Sequence, residues 1–236
     1  MQSTHRLLSG EGVLVDVPDA TALPGGTALA VLALEGAGQL EVTSGTEADL
    51  GFYLEVTGTT LQREVALRDG RSLRYGRLGG DPEQGLGWSV AVGAHHVYGS
   101  TVPAMDVEAL SGYLADVDVR EDRLGPVLIP TGRASWSPYR TQTLAQVVEL
   151  AGTGGDASPP GYLLDIRRAR TGQLQGGRSS GAPVRGGLLS RSSGEERHPY
   201  AVLESADFVT YGMPGSEEAV DAVIASMAEV TVGLVR

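Results

Sequence analysis

The chain has 236 residues, 41% of them apolar and 5% aromatic, with no cysteine and a formal net charge of −11. That length fits one large domain or two of about 115 residues with apolar material enough for a packed core, while the missing cysteine excludes a disulfide framework, a thiolate nucleophile and Cys-ligated zinc. All 18 basic residues are arginine and asparagine is also absent, which excludes Schiff-base and P-loop lysines and N-glycosylation, while the acidic balance opposes nucleic acid and anionic membranes as partners.

Lys and Asn both have A-rich codons, so their absence points to a GC-rich bacterium. From the N-terminus, Met1–Arg6 leads into a mixed segment rather than a charged stretch with an apolar core, so no signal peptide is expected. No run approaches the length of a membrane span. The expected location is the cytoplasm.

Gly12–Val17 and Thr27–Leu34 read as strands separated by the turn Pro24-Gly-Gly26. Gly51–Thr57 alternates, which predicts a strand with Phe52, Leu54 and Val56 on a buried face and Tyr53, Glu55 and Thr57 on the wet one. Gln62–Leu67 and Ser72–Arg77 form a predicted hairpin around Asp69-Gly70, and Ser89–Tyr98 a last strand. The period then changes. Val107, Leu110, Leu114 and Val117 recur at helical spacing after Pro103, predicting a helix over about 105–117. Near the C-terminus Val220, Val223, Ile224, Met227 and Val230 do the same over about 216–231, introduced by Pro214-Gly-Ser-Glu-Glu218 with a serine cap candidate.

The two helical segments are alike. Val107–Val119 aligns without a gap on Val220–Val232, and Tyr98-Gly99 matches Tyr211-Gly212 at the same spacing. Gly51–Val56 resembles Gly161–Ile166, and Thr27–Gly38 resembles Thr143–Gly154. Matches in one order at offsets near 113 residues predict an α+β protein of two tandem diverged repeats. Residues 1–119 and 120–236 would each be a mainly antiparallel β-sheet closed by a C-terminal amphipathic helix, in a pseudo-two-fold arrangement with a seam near Val119–Gly125. Residues 170–198, rich in Gly, Ser and Arg, read as a long mobile loop.

Several motifs carry no chemistry. Gly177-Arg-Ser-Ser-Gly181 has the nucleophile-elbow pattern without the strand and helix that strain the serine turn. In Gly152-Thr-Gly-Gly-Asp-Ala157 the helix that a dinucleotide loop needs is broken by Ser158-Pro-Pro160. His95 and His96 are adjacent, so on a strand they point to opposite faces and cannot share a metal ion. Asp116–Asp122 lacks the glycine and ligand spacing of a calcium loop and reads as a solvated helix end. Glu55 and Asp165, at matching positions, read as separate surface charges rather than an acid–base pair.

Two features are binding candidates. Arg167, Arg168, Arg170, Arg178, Arg185, Arg191 and Arg197 gather seven arginine forks suited to carboxylate or phosphate partners. Trp136-Ser-Pro-Tyr139-Arg140 brings together the three residue types that dominate interface hot spots.

The resulting expectation is a non-enzymatic protein-binding module, of adaptor, chaperone-like or immunity type, using neither cofactor nor metal and engaging a protein partner or a second copy of itself. The alternatives are an enzyme or small-ligand receptor with a pocket between the repeats, tested first at His95, His96, Glu55 and Asp165, and a structural subunit of a larger assembly.

Overall fold

Alternating hydrophobic residues, broken by Gly-containing turns, leave most of this chain extended. The computed structural model describes residues 1–81, 83–102, 105–140, 142–150, 161–169, 181–192, 199–216 and 219–235. Strands β1 (Gln2–Arg6), β2 (Gly12–Asp16), β3 (Ala20–Ala22), β4 (Gly26–Leu34) and β5 (Gly38–Gly45) precede helix α1 (Glu47–Val56). Then come β6 (Arg63–Ala66), β7 (Ser72–Arg77), β8 (Leu86–Val92), β9 (His95–Ser100), α2 (Val107–Leu114), β10 (Val117–Asp122), β11 (Gly125–Pro130) and β12 (Ala134–Trp136). The rest is β13 (Thr143–Leu150), β14 (Gly161–Arg168), β15 (Ala182–Val184), β16 (Gly187–Arg191), β17 (Ala201–Glu204), β18 (Phe208–Pro214), α3 (Val220–Met227) and β19 (Thr231–Leu234). The architecture is α+β and its described strand pairs are antiparallel. Among the described residues no helix is long and apolar enough to cross a membrane.

The chain divides into two compact units. The central unit comprises Arg6–Gly10 and Thr27–Gln142, and the terminal unit Met1–His5, Glu11–Gly26 and Thr143–Arg236. Val119–Gly125, where the sequence suggested a seam, belongs to the β10–β11 hairpin of the central unit.

In the central unit the sheet runs β4-β5-β9-β8-β7-β6, with β12 pairing on β4. One face carries Leu32, Leu40, Val42, Trp88 and Val90, joined in the core by Leu110 and Leu114 of α2 and Leu128 of β11. Trp88 and Leu110 are fully buried. At Gly76 the chain crosses so closely that an added Cβ would lie 1.9 Å from the Thr60 carbonyl oxygen; only glycine fits there.

In the terminal unit the sheet runs β13-β14-β18-β17-β16-β15, with β3 pairing on β13, while β1-β2-β19 form a separate three-stranded sheet. Helix α3 packs on β17 and β18, burying Val223 and Met227. Its seat depends on Gly212, where a Cβ would meet Met227 Cγ at 2.9 Å and Val223 Cγ1 at 3.1 Å. Tyr162 fixes the helix further, its hydroxyl 2.9 Å from Ser226 Oγ, which donates to Asp19 at 2.9 Å; burial pushes the Tyr162 phenol up to about 12.

Several sequence expectations are corrected. Gly51–Val56 is helical, because Thr46 and Asp49 form a capping box that starts α1. The helix buries Leu50, while Phe52 and Val56, expected inside, are 69% and 68% exposed. The i, i+2 alternation was coincidental, and the period that packs is Leu50, Tyr53 and Leu54. Consequently Gly51–Val56 has no counterpart in strand Gly161–Ile166, and Glu55 and Asp165 are not equivalent positions. Ser89–Tyr98 is not one strand but parts of β8 and β9, joined by a two-residue turn at Gly93-Ala94 with Val92 facing His95. Asp116–Asp122 is not a helix end, since Val117–Asp122 pairs as β10.

The helices are shorter than their periodicity suggests, and α3 begins after Ala219 without a side-chain cap. Within the expected loop 170–198, Ala182–Val184 and Gly187–Arg191 form a hairpin that extends the sheet onto β17, with Leu189 buried. Two leucines in a Gly/Arg-rich stretch are enough when a neighbouring strand supplies the ladder. Arg170, Arg178, Arg197, Pro103, the dinucleotide-like stretch 152–160 and most of the elbow-like stretch lie outside the described residues.

Candidate functional site

Helix α1 lies on the sheet face opposite the central core. That face is set by register, since Tyr98 stands opposite Thr43 on β5 and Ser89 on β8, out of phase with Val42, Val97 and Trp88. Tyr53 of α1 stacks on Tyr98 with ring centroids 5.1 Å apart. Tyr98 is 3% exposed, and burial pushes both phenols above their ordinary value. The first turn is tied down by Glu47, whose carboxylate lies 2.5 Å from His96 Nε2.

With Leu50, Tyr53 and Leu54 turned to the sheet, the outer side of α1 presents Ala48, Phe52 and Val56, one turn apart, beside Glu47, Gly51 and Glu55. No basic residue stands in its last turn. The chain has two phenylalanines. Phe208 is fully buried and Phe52 faces solvent. Burying such a side chain is worth about 1.5–3 kcal/mol, which Phe52 leaves unrealised in the free protein.

The structure also assembles a constellation that sequence spacing did not reveal. Ser89 Oγ lies 3.2 Å from His96 Nδ1, and His96 Nε2 faces Glu47. A serine, a histidine and a carboxylate in line have the composition of a hydrolase triad. Ser89, however, is 2% exposed on a middle strand of the sheet, on the face that α1 covers. A nucleophile needs a reacting carbon beside it, and this hydroxyl has no opening to one. The chain Ser89–His96–Glu47 anchors α1. His95 points to the other side, its Nδ1 3.0 Å from Glu121 Oε1, and this contact holds Glu121 below the usual carboxylate range. Among the described residues no three His, Asp or Glu side chains are placed to hold a metal ion.

A cleft of about 300 Å³ opens elsewhere in the central unit. Arg63, Tyr75 and Arg77 line one wall, with Leu86, Asp106 and Val107 contributing further surface. All of these residues belong to the central unit.

Of the arginines singled out in the sequence from Arg167 to Arg197, the four among the described residues are each paired with a carboxylate. Arg167 Nη2 lies 2.5 Å from Asp165 Oδ2, and its guanidinium stacks over Tyr211 at 4.6 Å; the Asp165 hydrogen bond holds it more firmly charged. Arg168 pairs with Glu11 at 3.2 Å and Asp207 at 3.1 Å and lies over Phe208. Arg185 pairs with Asp16 at 2.8 Å, and Arg191 with Asp221 at 3.4 Å. Trp136, Tyr139 and Arg140 diverge as well. Trp136 ends β12 and packs against the central core, whereas Tyr139 is 77% exposed and Arg140 is exposed.

Comparison with protein-family models, with curated proteins and with solved structures finds no match for this chain.

Proposed function

We propose that this protein is a non-enzymatic protein-binding module that captures a partner on α1. The observation that carries the reading is the exposure of Phe52 and Val56, with Ala48, along one side of a helix whose other side is fixed to the sheet. Aromatic side chains on a rigid support are the commonest interface anchors, and a helix face with i, i+4 apolar residues is suited to a groove or a second helix. The flanking Glu55 favours a partner with a basic residue beside its apolar stripe.

The module is built from two diverged copies of one sheet-and-helix unit. Support comes from strand order, since β4-β5-β9-β8-β7-β6 and β13-β14-β18-β17-β16-β15 visit their strands in the same sequence and each is followed by a helix and a strand. Register supports it further. Tyr98 faces Thr43, which faces Leu29, and Tyr211 faces Asp165, which faces Ala145. Leu29 and Ala145 are 116 residues apart, the offset at which Thr27–Gly38 resembles Thr143–Gly154.

The test is affinity purification from the native host with the intact protein beside a Phe52→Asp, Val56→Ser double variant whose thermal melt is unchanged. Both changes are on exposed positions, where stability shifts are usually within about 0.5 kcal/mol. A stoichiometric partner held by the intact protein and lost by the variant is the expected result. Equal retention by both, or no partner for either, contradicts the reading.

A further inference from the structure

We infer that the cleft between the β6–β7 edge and the start of α2 binds a small organic oxyanion, a carboxylate or phosphate monoester carrying an apolar body. The inference stands apart from the α1 surface and concerns a different class of partner. In the β6–β7 ladder Arg63 is directly opposite Tyr75, and Arg77 follows Tyr75 by two residues. All three side chains therefore project from one face of this two-strand edge. Across the β7–β8 ladder Tyr75 faces Trp88 and Arg77 faces Leu86, so this is the face that turns to the core and to α2. All three residues line a cleft of about 300 Å³, at the small end of ligand sites.

The chemistry of the walls selects the ligand. Arg63 has no ion pair or hydrogen bond to a side chain among the described residues, unlike Arg6, Arg71, Arg133, Arg167, Arg168, Arg185 and Arg191, each of which meets a carboxylate. An unengaged guanidinium fork at a cleft wall, Arg63, with the Tyr75 phenol opposite it, supplies the planar donor set that carboxylates and phosphates accept, and Arg77 adds positive charge to the same lining. Leu86, Val107 and the Tyr75 ring give an apolar surface for the body of the molecule.

Asp106 is the acidic group on this lining. Its Oδ1 already accepts from the Ala109 amide at 2.8 Å as the cap of α2.

Benzoate and phenyl phosphate are suitable probes, with benzylamine as the cationic control of like size. Titrated into the full chain and followed by amide chemical shifts, both anions should perturb Gln62, Arg63, Tyr75, Arg77 and Val107 saturably with one common affinity, while benzylamine should not. Arg63→Gln should weaken anion binding at least tenfold. Arg74→Gln removes the same charge from the opposite face of β7 and should leave it unchanged. Absence of saturable shifts, equal weakening by the two arginine variants, or equal binding of benzylamine would each overturn the inference. A benzoate-only or phenyl-phosphate-only response would replace the general oxyanion assignment with that of the one group bound.

Discussion

The sheets of the central and terminal units run through their strands in the same order, yet at corresponding ladder positions their tyrosines are treated differently. In the central unit Tyr98 is sealed beneath Tyr53 of α1. In the terminal unit Tyr211, which follows its ladder in the same way, is half-buried under the Arg167 guanidinium with Tyr200 at its edge, 5.8 Å between centroids. A buried aromatic stack fixes a helix in place; a guanidinium over a half-exposed ring does not require one. Two sheets with the same strand order thus close this face in two ways, and the one that brings α1 also brings the exposed Phe52.

The largest effects belong to the two cores. Trp88→Ala and Phe208→Ala each empty a fully buried site and should each cost about 3–5 kcal/mol in denaturant unfolding. A loss below about 1 kcal/mol at either position would show that its sheet is not supported from the face assigned to it.

The paired glycines sharpen the comparison next. A Cβ at Gly99 would meet the Glu41 carbonyl oxygen at 2.4 Å, whereas at Gly212 it would meet the side chains of Met227 and Val223. Backbone cannot yield as methionine does, so Gly99→Ala should cost about 2–3 kcal/mol and Gly212→Ala nearer 1 kcal/mol. The reverse order in chemical denaturation would break the assignment of what each glycine accommodates.

The tyrosine finishes themselves come third. Tyr53→Ala should cost about 2 kcal/mol by removing a stacked ring and uncovering Tyr98, and Arg167→Ala less than about 1 kcal/mol, since its ion pair and stack are half-exposed. Equal losses would mean that the two faces are closed alike.

The smallest effect is a pH dependence in the terminal unit. Burial lowers the His5 pKa below its ordinary 6.5. The folded state keeps the ring neutral where the unfolded chain protonates it, so its contribution is present above about pH 6.5 and is lost as pH falls through that value toward the lowered folded pKa. Comparing denaturation midpoints at about pH 7.5 and pH 5.5, His5→Gln should show a shallower acid-side decline than the wild type. An identical slope would contradict the burial of that ring.

Much of the architecture is readable from residues alone, because it rests on local signals. Thr27–Leu34, Ser72–Arg77 and the apolar spacing of Val107–Leu114 each announce their element. Where the reading failed, tertiary context decided. Leu50 and Tyr53 outweighed the alternation of Phe52, Leu54 and Val56 because a capping box and a waiting sheet face favoured a helix, and Leu188-Leu189 formed a strand because β17 offered an edge. The candidate surfaces were less legible. Phe52 read as core since apolar residues usually are, and the cleft depends on the β6–β7 hairpin meeting the start of α2, a tertiary placement that no local pattern encodes. The arginines drew attention by number, but the carboxylate partners of Arg168 and Arg185, Glu11 and Asp16, lie far along the chain.

The most direct measurement of the central proposal is site-specific photo-cross-linking in the native host, with a benzophenone amino acid at position 52 and, as control, at the exposed strand position 74. The account predicts one dominant adduct of defined mass at position 52, absent at position 74 and suppressed by Val56→Asp. No adduct at position 52, or the same spread of adducts at both positions, would contradict it.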